Sequence, residues 1–208
     1  MNNSPQEYLA FANKLADAAG ITSMKYFRTS LSIDSKSDES PVTIADQNTE
    51  LKIRSMIEKE YPNHGILGEE FDSVNPDAEF IWVIDPIDGT RSYIAGHKDF
   101  GNLISLTQNK KPIIGIINCP AHDERWVGVI NQKSTVNQKI VKTSNVTEIE
   151  DAYIFTSGLY FDEPQLRNAV DKIKNKVRYF RYGGDCYMYG MVASGLIDIV
   201  IEDTLKTH

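Results

Sequence analysis

The segment Trp82–Thr90 carries two carboxylates three residues apart, Asp85 and Asp88, directly after an apolar run. The run predicts a buried strand, so both carboxylates would lie in the loop at its end. Gly89 permits close approach of the backbone to a ligand. Thr90 would open a helix, whose first amides can hold a phosphate. This loop is a candidate for binding both a metal and a phosphate.

A second acidic cluster, Glu69-Glu70, follows the apolar pair Ile66-Leu67 and Gly68. If the two strand ends share one edge of a sheet, their carboxylates repel unless a cation lies between them. Oxygen-only ligands favour a hard cation, most plausibly Mg²⁺. The alternative for each dipeptide alone is a plain turn, because Asp-Pro and Asp-Gly are common turn sequences.

Two helices are expected to precede these strands. A capping box at Ser4–Glu7 predicts a helix to about Phe27. Residues 29–43 are polar and read as a loop or hairpin. Asp46 is expected to be the N-cap of a second helix, which ends before Tyr61-Pro62 because the residue before proline leaves the helical region.

Short apolar runs then predict a series of strands, followed by alternating strands and helices. Strands are expected at 66–67, 80–84, 103–106, 113–118, 125–130, 151–156, 177–181 and 197–202, with helices at 163–175 and around 186–193. This order predicts a layered α/β or α+β architecture.

Composition limits the function classes. The 208 residues include 41% hydrophobic and 25% charged residues and carry a net charge of -7, typical of a soluble globular protein. The acidic balance disfavours nucleic acid and anionic membranes. Cys119 and Cys186 are too few for a disulfide framework and lack zinc-site spacing. The polar N-terminus predicts no secretory signal, and the apolar runs are strand-sized, so a cytoplasmic location is expected.

Gly68-Glu69-Glu70 together with residues 85–90 resembles the inositol monophosphatase family. Further similarity lies at residues 41–46, 183–187 and 193–195, so the resemblance covers essentially the whole chain. It implies an αβαβα sandwich in a single domain, with a metal-binding half at 1–135 and an incomplete C-terminal half at 136–208. It also implies a Mg²⁺-dependent, lithium-sensitive phosphatase of small phosphate monoesters, commonly a homodimer, with two or three metal ions.

The resemblance assigns roles to individual residues. The first metal would be bound by Glu69, Asp85 and the Ile87 carbonyl, and the second by Asp85 and Asp88. Thr90, paired with Asp46, would help Glu69 and the metals to activate water for in-line attack. The substrate would contact Asp88 and the amides of Gly89 and Thr90, with Lys36 on a nearby loop. For Asp46 the alternative is a helix cap, and for Lys36 a solvated surface charge.

Within the family the similarity to histidinol phosphatases is greatest, at residues 100–106, 124–126 and 183–187. Substrate-facing positions would be Gly184, Asp185 and Glu202, whose two carboxylates suit a cationic amino alcohol. Asp185 could instead only cap its helix. The alternative substrates are inositol phosphates and other sugar or nucleotide phosphates.

The chain departs from the family pattern at Leu205–His208, where the family has a proline, an aromatic residue and then a metal-binding aspartate. We therefore expect a C-terminally truncated fold with an impaired second metal site and weak or no activity. The alternatives are a non-catalytic family member, or substitution by the α-carboxylate of His208.

Overall fold

The computed structural model describes residues 5–29, 33–35, 41–158 and 164–203. Lys36 and Leu205–His208 lie outside the described residues, so the predictions on them remain untested.

The helices are α1 (Pro5–Tyr26), α2 (Ile44–Glu60), α3 (Thr90–Ile94), α4 (Pro164–Lys174) and α5 (Asp185–Ala193). The strands are β1 (Ile33–Ser35), β2 (Pro41–Thr43), β3 (Gly65–Gly68), β4 (Phe80–Asp88), β5 (Gly101–Gln108), β6 (Lys111–Cys119), β7 (Glu124–Val129), β8 (Thr135–Val136), β9 (Lys139–Ile140), β10 (Tyr153–Thr156), β11 (Tyr179–Tyr182) and β12 (Ile199–Val200). The antiparallel pair β1–β2 confirms a hairpin within residues 29–43.

Strands β3 to β9 form one sheet in sequence order. Only β3 and β4 run parallel in it, and the other neighbours are antiparallel. The sheet continues past the predicted boundary at 135/136, which falls inside β8, and ends at Ile140. Strands β11, β10 and β12 form a second, parallel sheet.

Helices α1 and α2 cover one face of the large sheet. Their small and aromatic side chains recur at helical spacing, which lets the helices approach the strands closely. The main core between helices and sheet consists of Tyr8, Phe11, Ala12, Leu15, Ala16, Ala19, Ile53, Ile57, Ile66, Trp82, Ile84, Ile104, Leu106, Ile114 and Ile116.

The other face packs against α5. Trp126 of β7 contacts this helix closely enough that a Cβ at Gly190 would lie 2.5 Å from its ring. The opposite side of α5 packs on the small sheet through Met188 and Phe155. Helices, sheet, helix and second sheet therefore stack in order, and the predicted layered α+β architecture is confirmed.

Several boundaries differ from prediction. The prediction that Asp85 and Asp88 lie in a loop is wrong, because β4 continues to Asp88 and both residues pair with β5 on either side of an irregularity. Helix α2 is capped by Thr43, whose hydroxyl accepts a hydrogen bond from Ala45 N, and Asp46 is its third residue. The predicted N-cap role of Asp46 is therefore wrong, although Asp46 completes the capping box. The last described strand covers only Ile199–Val200 rather than 197–202. No helix of the described residues has the length and apolarity needed to cross a membrane.

Candidate active site

The two acidic segments lie at the same edge of the large sheet. The parallel register pairs Gly68 of β3 with Ile84 of β4, so Glu69, which follows β3, lies beside Asp85 of β4. The expectation that the two carboxylate-bearing strand ends share one edge is therefore met by the parallel pairing.

A buried polar network supports the bulge of β4 that separates Asp85 from Asp88. The pairing between β4 and β5 is irregular between these two residues, which leaves the Pro86 carbonyl outside the ladder. The Asn102 side-chain amide donates to that carbonyl over 2.7 Å, and Asn118 in turn donates to Asn102 Oδ1 over 2.8 Å. Because buried carbonyls need partners, these amides stabilise the bulge and the spacing of its carboxylates.

The carboxylates at this edge resist ionisation. Burial raises the pKa of Asp85 well above its ordinary range, and Asp88, Glu69 and Asp46 raise it further through their negative charge. Burial likewise raises the pKa of Asp88 to about 6, although hydrogen bonds from the Cys186 thiol and backbone amide oppose the shift. Four acidic groups therefore act on one another at this site, and the repulsion between their negative charges favours protonation of Asp85.

We tested whether these residues fit a divalent cation. Across the described ranges, no three side chains of His, Cys, Asp or Glu already converge as a metal-binding group. However, Asp85 Oδ1 is shielded from solvent and accepts no hydrogen bond. A buried acceptor without a donor, next to carboxylates that repel it, is stabilised by a hard cation with oxygen ligands. The donor chemistry therefore fits Mg²⁺.

A hydroxyl–carboxylate pair lies beside this cluster. Thr90 Oγ1 is 3.4 Å from Asp46 Oδ1 and 3.1 Å from the Ile87 carbonyl. Asp46 is 2% exposed, and its Oδ2 accepts from the Thr43 amide and hydroxyl over 2.8 and 2.6 Å. The capping box of α2 therefore holds one Asp46 oxygen and directs the other towards Thr90.

Gly89 joins this cluster to the start of α5. It has a left-handed backbone with φ +83°, and a Cβ there would lie 3.0 Å from the Asp185 side chain. Asp185 is the first residue of α5, and the helix is capped at Gly184 rather than by the Asp185 side chain. Asp185 Oδ2 instead accepts from the Ser92 hydroxyl over 2.6 Å. The alternative that Asp185 only caps its helix is therefore wrong.

Glu202 lies on the same side but is already bonded. Its Oε1 accepts from the Ser157 amide over 2.7 Å, and its other oxygen accepts from the Ser157 hydroxyl. Burial raises the pKa of Asp185, and Asp99 and Glu202 add to the rise through their charge, while the Ser92 bond and His97 oppose it. We call Asp185, which lies next to Gly89, and Glu202, whose charge acts on Asp185, the acidic wall.

Comparison with known proteins identifies this arrangement. The model of the inositol monophosphatase family matches residues 4–208. The chain belongs to the inositol monophosphatase family. Its members and structural neighbours are phosphoric monoester hydrolases.

The relatives of this inositol monophosphatase family member have names that indicate different substrates. The bifunctional phosphatase IMPL2, chloroplastic, of Arabidopsis thaliana is 39% identical, with 100% of this chain and 63% of the relative covered. A histidinol-phosphatase of Chlorobaculum parvum is 36% identical over 95% of this chain and 77% of the relative. An inositol monophosphatase structure from Zymomonas mobilis has a TM-score of 0.87 and 40% identity, covering 99% of this chain and 79% of that one.

Three residues at the site were missed in the sequence. Cys186 lies close enough to Asp88 to lower the pKa of that carboxyl, which its isolated position in the sequence does not reveal. Glu50 and Arg54 of α2 reach the segment that follows β3. The spacing of Asp46, Glu50 and Arg54 by four residues was a signal for these two, because such residues share one helix face.

Proposed function

We propose that this chain hydrolyses a small phosphate monoester, and that histidinol phosphate is the substrate. The observation that carries the proposal is the placement of Glu69, Asp85 and Asp88 at and after the ends of the neighbouring strands β3 and β4, beside the Thr90–Asp46 pair. The substrate proposal is supported by relatives named histidinol-phosphatase at 36% and 32% identity.

Glu69, Asp85, Asp88 and the Ile87 carbonyl would hold Mg²⁺. When bound, the ion would neutralise charge on the phosphoryl oxygens and favour deprotonation of the attacking water. The protein's own contribution is to keep these oxygens buried and preorganised before the substrate arrives.

Thr90 and Asp46 would orient and deprotonate the water. The single hydroxyl proton of Thr90 has two acceptors, the Ile87 carbonyl and Asp46 Oδ1. If the Ile87 carbonyl binds the metal ion, the Thr90 hydroxyl would donate its hydrogen bond to Asp46 Oδ1 instead. Thr90 Oγ1 would then accept a proton from water while its own hydroxyl proton passes to Asp46 Oδ1, so that the water becomes hydroxide and Asp46 becomes protonated.

The Gly89 and Thr90 amides would bind phosphoryl oxygens. The left-handed conformation of Gly89 and its missing Cβ leave space between this loop and Asp185. The leaving alcohol would extend towards Asp185 and Glu202, with Gly184 allowing the turn before α5. An ammonium or imidazolium group on that alcohol would be attracted to both carboxylates, whereas a neutral polyol would leave their charge unpaired.

The test is the rate of phosphate release at saturating Mg²⁺ from histidinol phosphate, inositol 1-phosphate and adenosine 3′,5′-bisphosphate. We expect the largest kcat/KM on histidinol phosphate. The Asp185→Asn variant should lose that preference mainly through KM, because the removed charge binds the leaving group. A larger kcat/KM on another substrate would refute the proposal that histidinol phosphate is the substrate. The absence of phosphate release from all three compounds would refute the proposal that the chain is a phosphate monoester hydrolase.

Inositol phosphate is the second candidate, because the inositol monophosphatase from Zymomonas mobilis is 40% identical to this chain. The acidic wall distinguishes the two candidates. If inositol phosphate is the substrate, Asp185→Asn should leave its KM unchanged or lower it, since no cation is lost.

We propose several further properties on the basis of family membership alone. They are a single domain over residues 1–208, two or three Mg²⁺ ions, inhibition by lithium, a homodimer and a cytoplasmic location.

A further inference from the structure

Helix α2 presents a line of three charged residues to the sheet edge that carries Glu69. Asp46, Glu50 and Arg54 are spaced by four residues and lie on one face of the helix. All three are buried, and the Glu50 side chain is 0% exposed. Burial of charged groups is costly unless they are paired and hydrogen-bonded. The hydrogen-bond partners of these residues therefore indicate their role.

Glu50 binds the backbone of the segment after β3. Its Oε2 accepts from the amides of Glu69 and Glu70 over 3.0 and 2.8 Å. Its Oε1 pairs with Arg54 Nε over 2.7 Å. A Cβ at Gly68 would overlap the Glu50 carboxyl group, so the glycine is what allows this approach.

Arg54 extends the same contact by two residues. Its two terminal nitrogens donate to the carbonyls of Phe71 and Asp72 over 2.9 and 3.0 Å. Four consecutive residues, 69–72, are therefore bonded to α2 through their main chain. Arg54 also neutralises Glu50, which keeps this carboxylate from adding to the repulsion among the carboxylates of the site.

We propose that Glu50 and Arg54 are positioning residues for Glu69. They hold its amide and the following backbone, and so leave its side chain directed to the carboxylate of Asp85. The same rigid helix carries Asp46, so one element sets the positions of both Glu69 and the partner of Thr90. The inference rests on the proposed function, in which Glu69 binds the divalent cation.

The test is Mn²⁺ binding by electron paramagnetic resonance, with hydrogen exchange at residues 69–72. Glu50→Gln removes the charge that holds the two amides while keeping the side-chain size. Loss of a partner that orients a metal ligand typically weakens metal binding about 10–100-fold. We expect a weaker Mn²⁺ affinity of that size, faster exchange at residues 69–72, and recovery of most of kcat at high metal concentration. Glu58→Gln, exposed on the same helix, is the matched control and should match the wild type.

A folded Glu50→Gln protein with wild-type Mn²⁺ affinity would overturn the inference while leaving the proposed function intact. If the wild type itself binds no Mn²⁺, the proposed function fails and this inference fails with it. If Glu50→Gln does not fold, Arg54→Lys carries the test, because lysine preserves the charge but lacks the planar fork that reaches both carbonyls. If Arg54→Lys shows the same hydrogen exchange at residues 69–72 and the same Mn²⁺ affinity as the wild type, the inference is overturned.

Discussion

Replacing Asp88 by asparagine should stabilise the metal-free protein at neutral pH. Burial, opposed by Cys186 and aided by Asp185 and Glu69, raises the pKa of Asp88 from 3.8 to about 6. At about 1.4 kcal/mol per pKa unit, ionised Asp88 costs the fold about 2–3 kcal/mol at pH 7.5. Asparagine keeps an oxygen for the two Cys186 donors, and its amide can donate to the neighbouring carboxylates.

The sign of the pH dependence follows from the raised pKa. Between pH 3.8 and about 6 the folded protein binds more protons at Asp88 than the unfolded chain does, so its stability falls as pH rises. The gain from Asp88→Asn should therefore be full at pH 7.5 and nearly absent at pH 4. Mg²⁺ should stabilise the wild type at pH 7.5 much more than the variant, since the ion takes over the role of the proton.

Urea unfolding with EDTA at pH 4 and pH 7.5 measures this effect. Asp171→Asn, the same change at an exposed position of α4, should leave the free energy of unfolding within about 0.5 kcal/mol of the wild type. The reasoning is refuted if Asp88→Asn is no more stable than the wild type at pH 7.5, or if its gain persists unchanged at pH 4.

Two further substitutions test neighbouring parts of the site. Thr90→Val removes the hydroxyl next to Asp46 and should lower kcat by about 10²–10⁴ while Mg²⁺ half-saturation changes little. Steady-state kinetics measure both, and kcat within tenfold of the wild type would contradict the role. Gly89→Ala forces a left-handed alanine against Asp185 and should cost about 1–2 kcal/mol in urea unfolding, with a lower kcat/KM. Gly115→Ala, where a Cβ meets nothing within 4 Å, is its control, and equal stability of the two variants would contradict the strain.

The local parts of the site could be predicted from the sequence. Apolar runs next to turn residues are short-range signals, and both strands that carry Glu69 and Asp85 are present. Their parallel pairing is not a short-range signal, because the chain has to cross back between Gly68 and Phe80 before β4 begins. The helix that begins at Asp185 was also predicted, because glycines precede it and apolar residues recur within it.

The rest depends on contacts between distant segments. The capping box that joins Thr43 and Asp46 is local, but the second Asp46 oxygen is directed to Thr90, which lies 44 residues further along the chain. The effect of Cys186 on the pKa of Asp88 joins residues of α5 and β4, which lie in different layers. The role of Glu50 depends on the main chain after β3, which has no side-chain pattern that would indicate it.

The most direct test of the central claim is phosphate release from histidinol phosphate with and without Mg²⁺, by the wild type and by Asp85→Asn. Asp85 has a buried carboxylate oxygen without a hydrogen-bond partner and would be shared by the metal ions. We predict release by the wild type that requires Mg²⁺ and stops with EDTA, and no release above background by the folded variant. Release that persists in EDTA, or in Asp85→Asn, would contradict a metal-dependent reaction at this carboxylate cluster.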